Sequence, residues 1–135
     1  MSCQTKRLKT RLTDQQQTPD SWHSHIYFDA QSLGRAQALV ATLEQAFPAG
    51  DTPVTYGRWH QKPVGPHPDW SIQIAYPQAY FAAVMVMLAL HQDGLVIFTH
   101  PNTGESRAAQ LRDHRDHVIW IGAVRPLNLA IFAEE

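Results

Sequence analysis

The amino-acid sequence predicts a single α+β domain of the ferredoxin-like (βαββαβ) class, with an antiparallel sheet and the helices on one of its faces. Short segments rich in β-branched and aromatic residues alternate with two segments whose apolar residues recur at helical spacing. Prolines and glycines stand at the boundaries between these segments. The length of 135 residues suits one domain, and no internal repeat is visible.

The first predicted strand covers residues 22–29 and has an unusual polar face. Side chains alternate across a strand, so His23, His25 and Tyr27 share one face with Asp29. Ile26 is on the opposite face, which we expect to join the core. Two histidines beside a tyrosine and an aspartate predict that the polar face is one wall of a metal site.

A helix is predicted next, at residues 33–47, with Ser32 as a candidate N-cap. Its apolar residues follow helical spacing, and Pro48 and Gly50 end it. A second strand is predicted at residues 54–60. The following loop, residues 63–68, is dense in prolines that fix φ, so we expect it to be stiff.

Strands and helices also alternate in the second half of the chain. A third strand is predicted at residues 70–76, and Pro77 starts a helix at residues 78–91 with Gly94 beyond its end. A fourth strand, fully apolar, is predicted at residues 95–99. A polar loop at 102–112 then leads to a short helix at 113–121 with Asp113 as N-cap, and the apolar segment 127–132 is expected to pack back.

Residues 1–20 are polar and basic and predict a disordered tail, which leaves residues 21–135 as the domain. The net charge of −1 does not favour a nucleic acid or a membrane surface as partner. Cys3 is the only cysteine, so a disulfide framework and a thiolate zinc site are excluded within one chain. The absence of a secretory signal and of a long apolar run favours a cytoplasmic location.

The predicted topology brings histidines together. The first and third strands are expected to be central, adjacent and parallel, with the second antiparallel to the third and the fourth antiparallel to the first. Five histidines would then reach one end of the sheet, and a sixth, on the following loop and helix, could close over them: His23, His25, His60, His67, His100 and His114. No single spacing is a strong metal motif. This pattern has two interpretations: the histidines share a metal or catalytic pocket, or they cluster by chance.

The chain resembles the DOPA 4,5-dioxygenase family, small ring-opening dioxygenases of fungi and bacteria. The segments that carry the resemblance are 23–29 (His-Ser-His-Ile-Tyr-Phe-Asp), 57–60 (Gly-Arg-Trp-His), 63–68 (Pro-Val-Gly-Pro-His-Pro), 100–104 (His-Pro-Asn-Thr-Gly) and 113–114 leading to 120–122. They span nearly everything from Trp22 onward. The segment between Gly104 and Asp113 is longer than the family pattern, which would reshape the mouth of the pocket.

The resemblance implies extradiol cleavage of a catechol such as DOPA with O₂ at a histidine-bound Fe(II), for which zinc could substitute in purified protein. We expect His25, His67 and His100 to be the metal ligands. The sequence identifies no carboxylate ligand, because each candidate is better explained as a cap or a solvated group: Asp29, Asp69, Glu105 and Asp113. A three-histidine site is therefore an open alternative.

Further roles are expected around the metal. His23 and His114 are candidates for proton transfer, since histidine titrates near neutral pH. Candidate substrate-binding residues are His60, Arg58, Tyr27 and Trp70. Packing for Tyr27 and Trp70, and an ordinary salt bridge for Arg58, are the alternatives.

The predicted partners are a small aromatic catechol and O₂, together with a second copy of the chain. A homodimer is expected because an open sheet face with aromatic residues is seldom left to water. Two rival functions stay open: a metal- or small-molecule-binding module of the same fold without turnover, and a cofactor-independent enzyme. Fold alone separates none of them.

Overall fold

The computed structural model describes residues 18–133 and contains one sheet flanked by helices. The elements in chain order are β1 (Ser21–Phe28), α1 (Leu33–Ala46), β2 (Thr55–Tyr56), β3 (Trp70–Pro77), α2 (Phe81–Leu90), β4 (Val96–Asn102), α3 (Arg107–Arg115) and β5 (Ile119–Ile121). Short 3₁₀ turns occupy Gln78–Tyr80 and Leu129–Phe132. The α+β class with an antiparallel sheet is confirmed.

The strands lie in the order β2-β3-β1-β4-β5, and every neighbouring pair is antiparallel. The predicted pairing of the second strand with the third and of the fourth with the first is confirmed. The predicted parallel pairing of β1 and β3 is wrong, since their register runs from Ser21 opposite Pro77 to Phe28 opposite Trp70. The crossover through α1 makes β2 parallel to β1, and the chain then reverses into β3, which must oppose both.

One face of the sheet packs on α1 and α2 and forms the core. Alternation places Ile26 of β1 beside Ile72 of β3 and Ile97 of β4, and all three are fully buried. From the helices, α1 contributes Leu43 and α2 contributes Leu88, both fully buried. Burial of each such side chain contributes about 1.5–3 kcal/mol to the free energy of unfolding.

Three hydroxyl groups are buried on that same face. The Ser24 hydroxyl lies 2.7 Å from that of Tyr76 and 2.8 Å from that of Thr99, so the group joins β1, β3 and β4. Burial raises the pKa of Tyr76 to about 12, which keeps its hydroxyl protonated. These residues flank the histidines in sequence, because Ser24 lies between His23 and His25.

The start of α1 differs in detail from the prediction. Ser32 occupies the N-cap position, but its side chain makes no capping hydrogen bond to the helix. Its hydroxyl accepts from the Asp29 backbone N–H at 2.8 Å, and the Asp29 carboxylate accepts from the backbone N–H groups of Gln31 and Ser32, each at 2.9 Å. Asp29 therefore closes the turn between β1 and α1.

Three predicted elements differ from the structure. The predicted strand at 54–60 shrinks to Thr55–Tyr56, after which Gly57 donates to the Gln73 carbonyl oxygen and His60 forms an isolated bridge with Ser71. The predicted loop at 102–112 and helix at 113–121 are replaced by α3 and β5. The Ser106 hydroxyl accepts from Ala109 N–H at 3.1 Å and so starts α3 earlier, while the β-branched and aromatic run of β5 pairs with β4.

Most of the predicted tail at residues 1–20 lies outside the described residues, and so does Cys3. In the part of the chain that the structure describes, no helix is long and apolar enough to span a bilayer.

Candidate metal centre

Three histidines meet on the sheet face opposite the helices α1 and α2. His23 and His25 alternate along β1, and His100 of β4 stands directly opposite His23 in the strand register. Each offers one ring nitrogen, and these nitrogens all lie within 4.8 Å of one another. His25 and His100 are buried, while His23 is half-buried. The structure thus places three imidazoles where one ion could contact them together.

The distance between the nearest pair fits shared ligation. The Nε2 atoms of His25 and His100 lie 3.2 Å apart. Two nitrogens bound to one ion at about 2.0–2.1 Å, with an angle of about 90–110° between them, lie about 2.9–3.4 Å apart. The donor set therefore fits a first-row divalent metal that accepts imidazole.

The charge state of these histidines also suits metal binding. Burial lowers the pKa of His100 to about 3, and burial followed by the neighbouring histidines lowers that of His25 well below its ordinary value. The pKa of His23 is lowered by burial and then by His114. Neutral imidazole is the ligand form, so the three side chains are ready to bind a cation at neutral pH.

A backbone carbonyl orients His100. Its Nδ1 lies 2.9 Å from the carbonyl oxygen of Pro101, to which it donates. That hydrogen bond fixes the tautomer and leaves the lone pair of Nε2 directed toward His25.

His67, an expected ligand, lies beside the three histidines and is held by Tyr27. It is buried in the proline-rich loop, and its ring centroid is 4.1 Å from that of His25. Its Nδ1 lies 2.7 Å from the Tyr27 hydroxyl, which makes no other side-chain hydrogen bond within the described residues. Burial and then Asp69 raise the pKa of Tyr27, so the phenol stays protonated. We therefore assign the donor role to Tyr27, which leaves the proton of neutral His67 on Nε2.

His114 of α3 closes over the group as expected. Its ring centroid is 4.0 Å from that of His100 and 4.5 Å from that of Phe132. Its Nδ1 donates to the Gln110 carbonyl oxygen at 2.6 Å, so Nε2 is left with a lone pair. Burial lowers its pKa, although the Gln110 carbonyl opposes this. His114 is thus a neutral base at the wall of the site.

These histidines line a cavity of about 490 Å³. The other lining residues include both polar and apolar side chains: Gln73, Asn102, Gly104, Glu105, Gln110, Asp113, Pro66, Ile131 and Phe132. A cavity of this size with an apolar wall can hold one aromatic ring with a short substituent.

Three predicted site residues lie elsewhere. Trp70 is opposite Phe28 in the strand register and packs near it, with ring centroids 6.1 Å apart, on the core face of the sheet. Arg58 is exposed and His60 half-buried, and neither lines the cavity. Alternation of β3 turns Trp70 away, and the chain leaves the sheet after β2 and carries Arg58 with it.

No carboxylate joins the histidines in the described residues. Asp113 is fully buried, but its two oxygens accept from the Thr103 N–H and the Thr103 hydroxyl, each at 2.8 Å, and one also contacts His117. Asp69 pairs bidentately with Arg125. These groups stabilise loops, so the three-histidine alternative fits the structure best.

Sequence reasoning missed Gln73. It lies on β3 opposite His25, and its side chain is half-buried in the cavity wall. The signal was available, because the period of two along β3 places Gln73 on the face that carries the histidines once β1 and β3 are paired. Phe132 also lines the cavity, whereas the sequence predicted only that its apolar segment packs back on the domain.

The chain is similar to known proteins in sequence and in structure. Residues 22–131 match the family described as the Dopa 4,5-dioxygenase family. A DOPA 4,5-dioxygenase of Amanita muscaria is 37% identical over 126 residues, which cover 87% of this chain and 54% of that protein. An uncharacterized 21.2 kDa protein of Botryotinia fuckeliana is 31% identical over 114 residues, which cover 79% of this chain and 60% of that protein.

The chain thus spans little more than half the length of these two relatives. A crystal structure of a candidate dioxygenase from Nostoc punctiforme superposes with a TM-score of 0.69 at 34% identity, covering 84% of this chain and 90% of that one. Because the family match extends over most of the chain, the chain belongs to the Dopa 4,5-dioxygenase family.

Proposed function

We propose that the chain is a non-haem Fe(II) dioxygenase that opens the ring of a catechol, of which DOPA is one example. The observation that carries the proposal is the convergence of His23, His25 and His100 at the buried end of a ring-sized cavity. Membership of the family supplies the oxygenase chemistry.

The proposed reaction is balanced without another cofactor. One carbon–carbon bond next to the catechol diol breaks, and both atoms of O₂ enter the product, as an aldehyde and a carboxylate oxygen. The catechol is oxidised and O₂ is reduced. Fe(II), when bound, supplies open positions for the catechol and O₂ and stabilises the developing negative charge.

The residues divide into ligands and proton carriers. The metal would be held by His23, His25 and His100. This set of ligands differs from the expected one in that His23 takes the ligand role expected of His67. The lone pair on Nε2 of His114 can accept a phenolic proton. The Nε2–H of His67 can donate to an oxygen of the opening ring, because Tyr27 holds its Nδ1. Phe132 and Ile131 would exclude water from the aromatic ring.

Anaerobic reconstitution with Fe(II), followed by O₂ uptake and visible absorbance with a panel of catechols, tests the proposal. We expect stoichiometric iron, O₂ uptake and a new yellow chromophore. Zinc-loaded protein should show neither the O₂ uptake nor the chromophore. Bound iron without uptake for any catechol would favour a binding module of the same fold without turnover. Failure to bind any divalent metal would show that the histidine group is not a metal site.

Three further features of the proposal come from the sequence. We propose a ferredoxin-like arrangement extended by β5, supported by the strand order. We also propose a homodimer and a cytoplasmic location. Part of the sheet face expected at the dimer interface is occupied by α3, since His114 packs on Phe98 of β4. Sedimentation equilibrium of the metal-loaded chain tests the dimer.

A further inference from the structure

The wall of the histidine cavity carries negative but no fixed positive charge. Among the described residues that line it there is no lysine and no arginine, while two carboxylates are present, those of Glu105 and Asp113. The protein part of the site therefore favours a cation over an anion.

Only one of the two carboxylates is free to act on a ligand. Asp113 is buried and saturated by Thr103 and His117. Glu105 is exposed at the mouth, and within the described residues its carboxylate makes neither a salt bridge nor a hydrogen bond. Glu105 lines the same cavity as the buried histidines, so it is the free carboxylate that a charged substituent of a bound ring can meet.

The arginines that could oppose Glu105 are engaged or remote. Arg58, the expected partner of a substrate carboxylate, does not line the cavity. Arg125 binds Asp69 with both arms of its guanidinium, each at 2.8 Å. Arg107 donates to the Ala133 carbonyl oxygen at 2.8 Å.

We propose that the cavity selects catechols whose side chain bears a protonated amine and discriminates against catechols whose side chain bears only a carboxylate. Glu105 is the specificity-determining residue, and an α-carboxylate beside the amine is not required. The inference rests on the proposed function for the identity of the ring.

The expected size of the preference follows from the strength of exposed ion pairs. Such a pair changes affinity by a factor of about 1.4–5. Repulsion of a carboxylate by Glu105 acts in the same sense, so we expect the amine to be preferred over the acid by about tenfold.

Two ligands with the same two-carbon linker provide the test: dopamine and 3,4-dihydroxyphenylpropionate. Their dissociation constants are measured by calorimetry on the zinc-loaded full chain, which cannot turn them over, and their kcat/KM values by O₂ uptake on the iron-loaded chain. We expect dopamine to be preferred about tenfold in both measurements, with the preference shrinking as salt is raised.

Substitutions at Glu105 then identify the cause. Glu105→Gln should bring the ratio of the two affinities close to one, and Glu105→Lys should reverse it. The matched control is Glu44→Gln, an exposed carboxylate on α1 at the opposite face of the sheet, which should leave the ratio unchanged.

The possible outcomes separate the two proposals. O₂ uptake with equal preference for both ligands, or with the acid preferred, would overturn the selectivity and leave the dioxygenase assignment intact. Selective binding of dopamine to the zinc-loaded chain without O₂ uptake on iron would support the selectivity and overturn the dioxygenase. Binding of neither ligand to metal-loaded protein would overturn both.

Discussion

The Nε2 atom of His25 lies 3.2 Å from the Nε2 atom of His100, although 75 positions of sequence separate the two residues. Both side chains are buried, and a hydrogen bond from the Nε2–H of His25 to the Nε2 lone pair of His100 can join them in the metal-free protein. Loss of the proton that the two rings share would free both lone pairs for one cation, and this close approach of two buried imidazoles is the strongest structural sign of a metal site.

Removing one of these nitrogens should remove the metal. We expect His100→Ala to lower the affinity for Fe(II) or zinc by at least about tenfold while the far-ultraviolet circular dichroism stays unchanged. The measurement is metal content after reconstitution and gel filtration. His91→Ala, an exposed histidine at the end of α2, is the control and should retain full occupancy.

His67→Ala distinguishes the observed set of ligands from the expected one. Because His67 directs Nδ1 to Tyr27, we expect this variant to keep its metal but lose turnover. Loss of the metal in His67→Ala with its retention in His23→Ala would return His67 to the set of ligands.

The metal-free protein should lose stability on mild acidification. Burial lowers the pKa of His100 to about 3 and that of His67 to about 4, whereas in the unfolded chain both titrate near 6.5. The unfolded state therefore binds more protons below pH 6.5, and stability that is fully present above that pH is lost as the pH falls toward 3.

Urea unfolding of chelator-treated protein between pH 7.5 and pH 5 measures this effect. Each such histidine adds a slope of up to about 1.4 kcal/mol per pH unit. His100→Gln should reduce the slope, since one titrating group is removed. A free energy of unfolding that is constant or rises on acidification would contradict the assignment of buried neutral histidines.

Tyr27→Phe should impair turnover more than its effect on stability explains. The substitution removes the donor to His67 Nδ1 and leaves a buried polar atom unpaired, which costs about 1–3 kcal/mol. It also frees His67 to carry its proton on either nitrogen. Tyr56→Phe is the matched control, because its hydroxyl donates to the Phe47 carbonyl oxygen at 2.8 Å outside the cavity.

Comparable losses of kcat/KM in the two phenylalanine variants would show that Tyr27 acts only through stability. A loss confined to Tyr27→Phe, with a shifted pH profile of kcat, is the expected result.

The three buried hydroxyls of Ser24, Tyr76 and Thr99 should behave as one cooperative unit. Ser24→Ala and Thr99→Val each break the 2.8 Å hydrogen bond between them, and each should cost about 1–3 kcal/mol of the free energy of unfolding. The double variant should cost less than the sum, because the second substitution removes a partner already lost. Strict additivity in urea unfolding would show that the hydroxyls do not act together.

Local patterns predicted most of the fold, and they failed where tertiary contacts decide. The alternation in β1 and the apolar spacing of α1 placed those elements within a residue or two. The segment Ile119–Ile121 was assigned to a helix because it follows a plausible cap, whereas its pairing with β4 makes it a strand. Strand direction likewise could not be read from any one strand, so β1 and β3 were paired in the wrong sense.

The site was predicted in outline for a similar reason. The convergence of His23, His25 and His100 follows from the predicted pairing of the first and fourth strands, although the expected set of ligands had His67 in place of His23. The hydrogen bond from Tyr27 to His67 depends on where an irregular proline-rich loop lies, which no periodicity encodes. Trp70 is different, because its alternation with Ile72 along β3 already places it on the core face, where it lies opposite Phe28.

The joining of β1 to β4 at the histidines has a consequence for folding kinetics. The ligand set does not exist until strands distant in sequence have paired, and such long-range pairing is slow to form. A bound ion would therefore select fully assembled molecules and raise their free energy of unfolding, by about 2.7 kcal/mol at a concentration 100 times its dissociation constant. Loading with metal should lengthen the lifetime of the native state more than it speeds its formation.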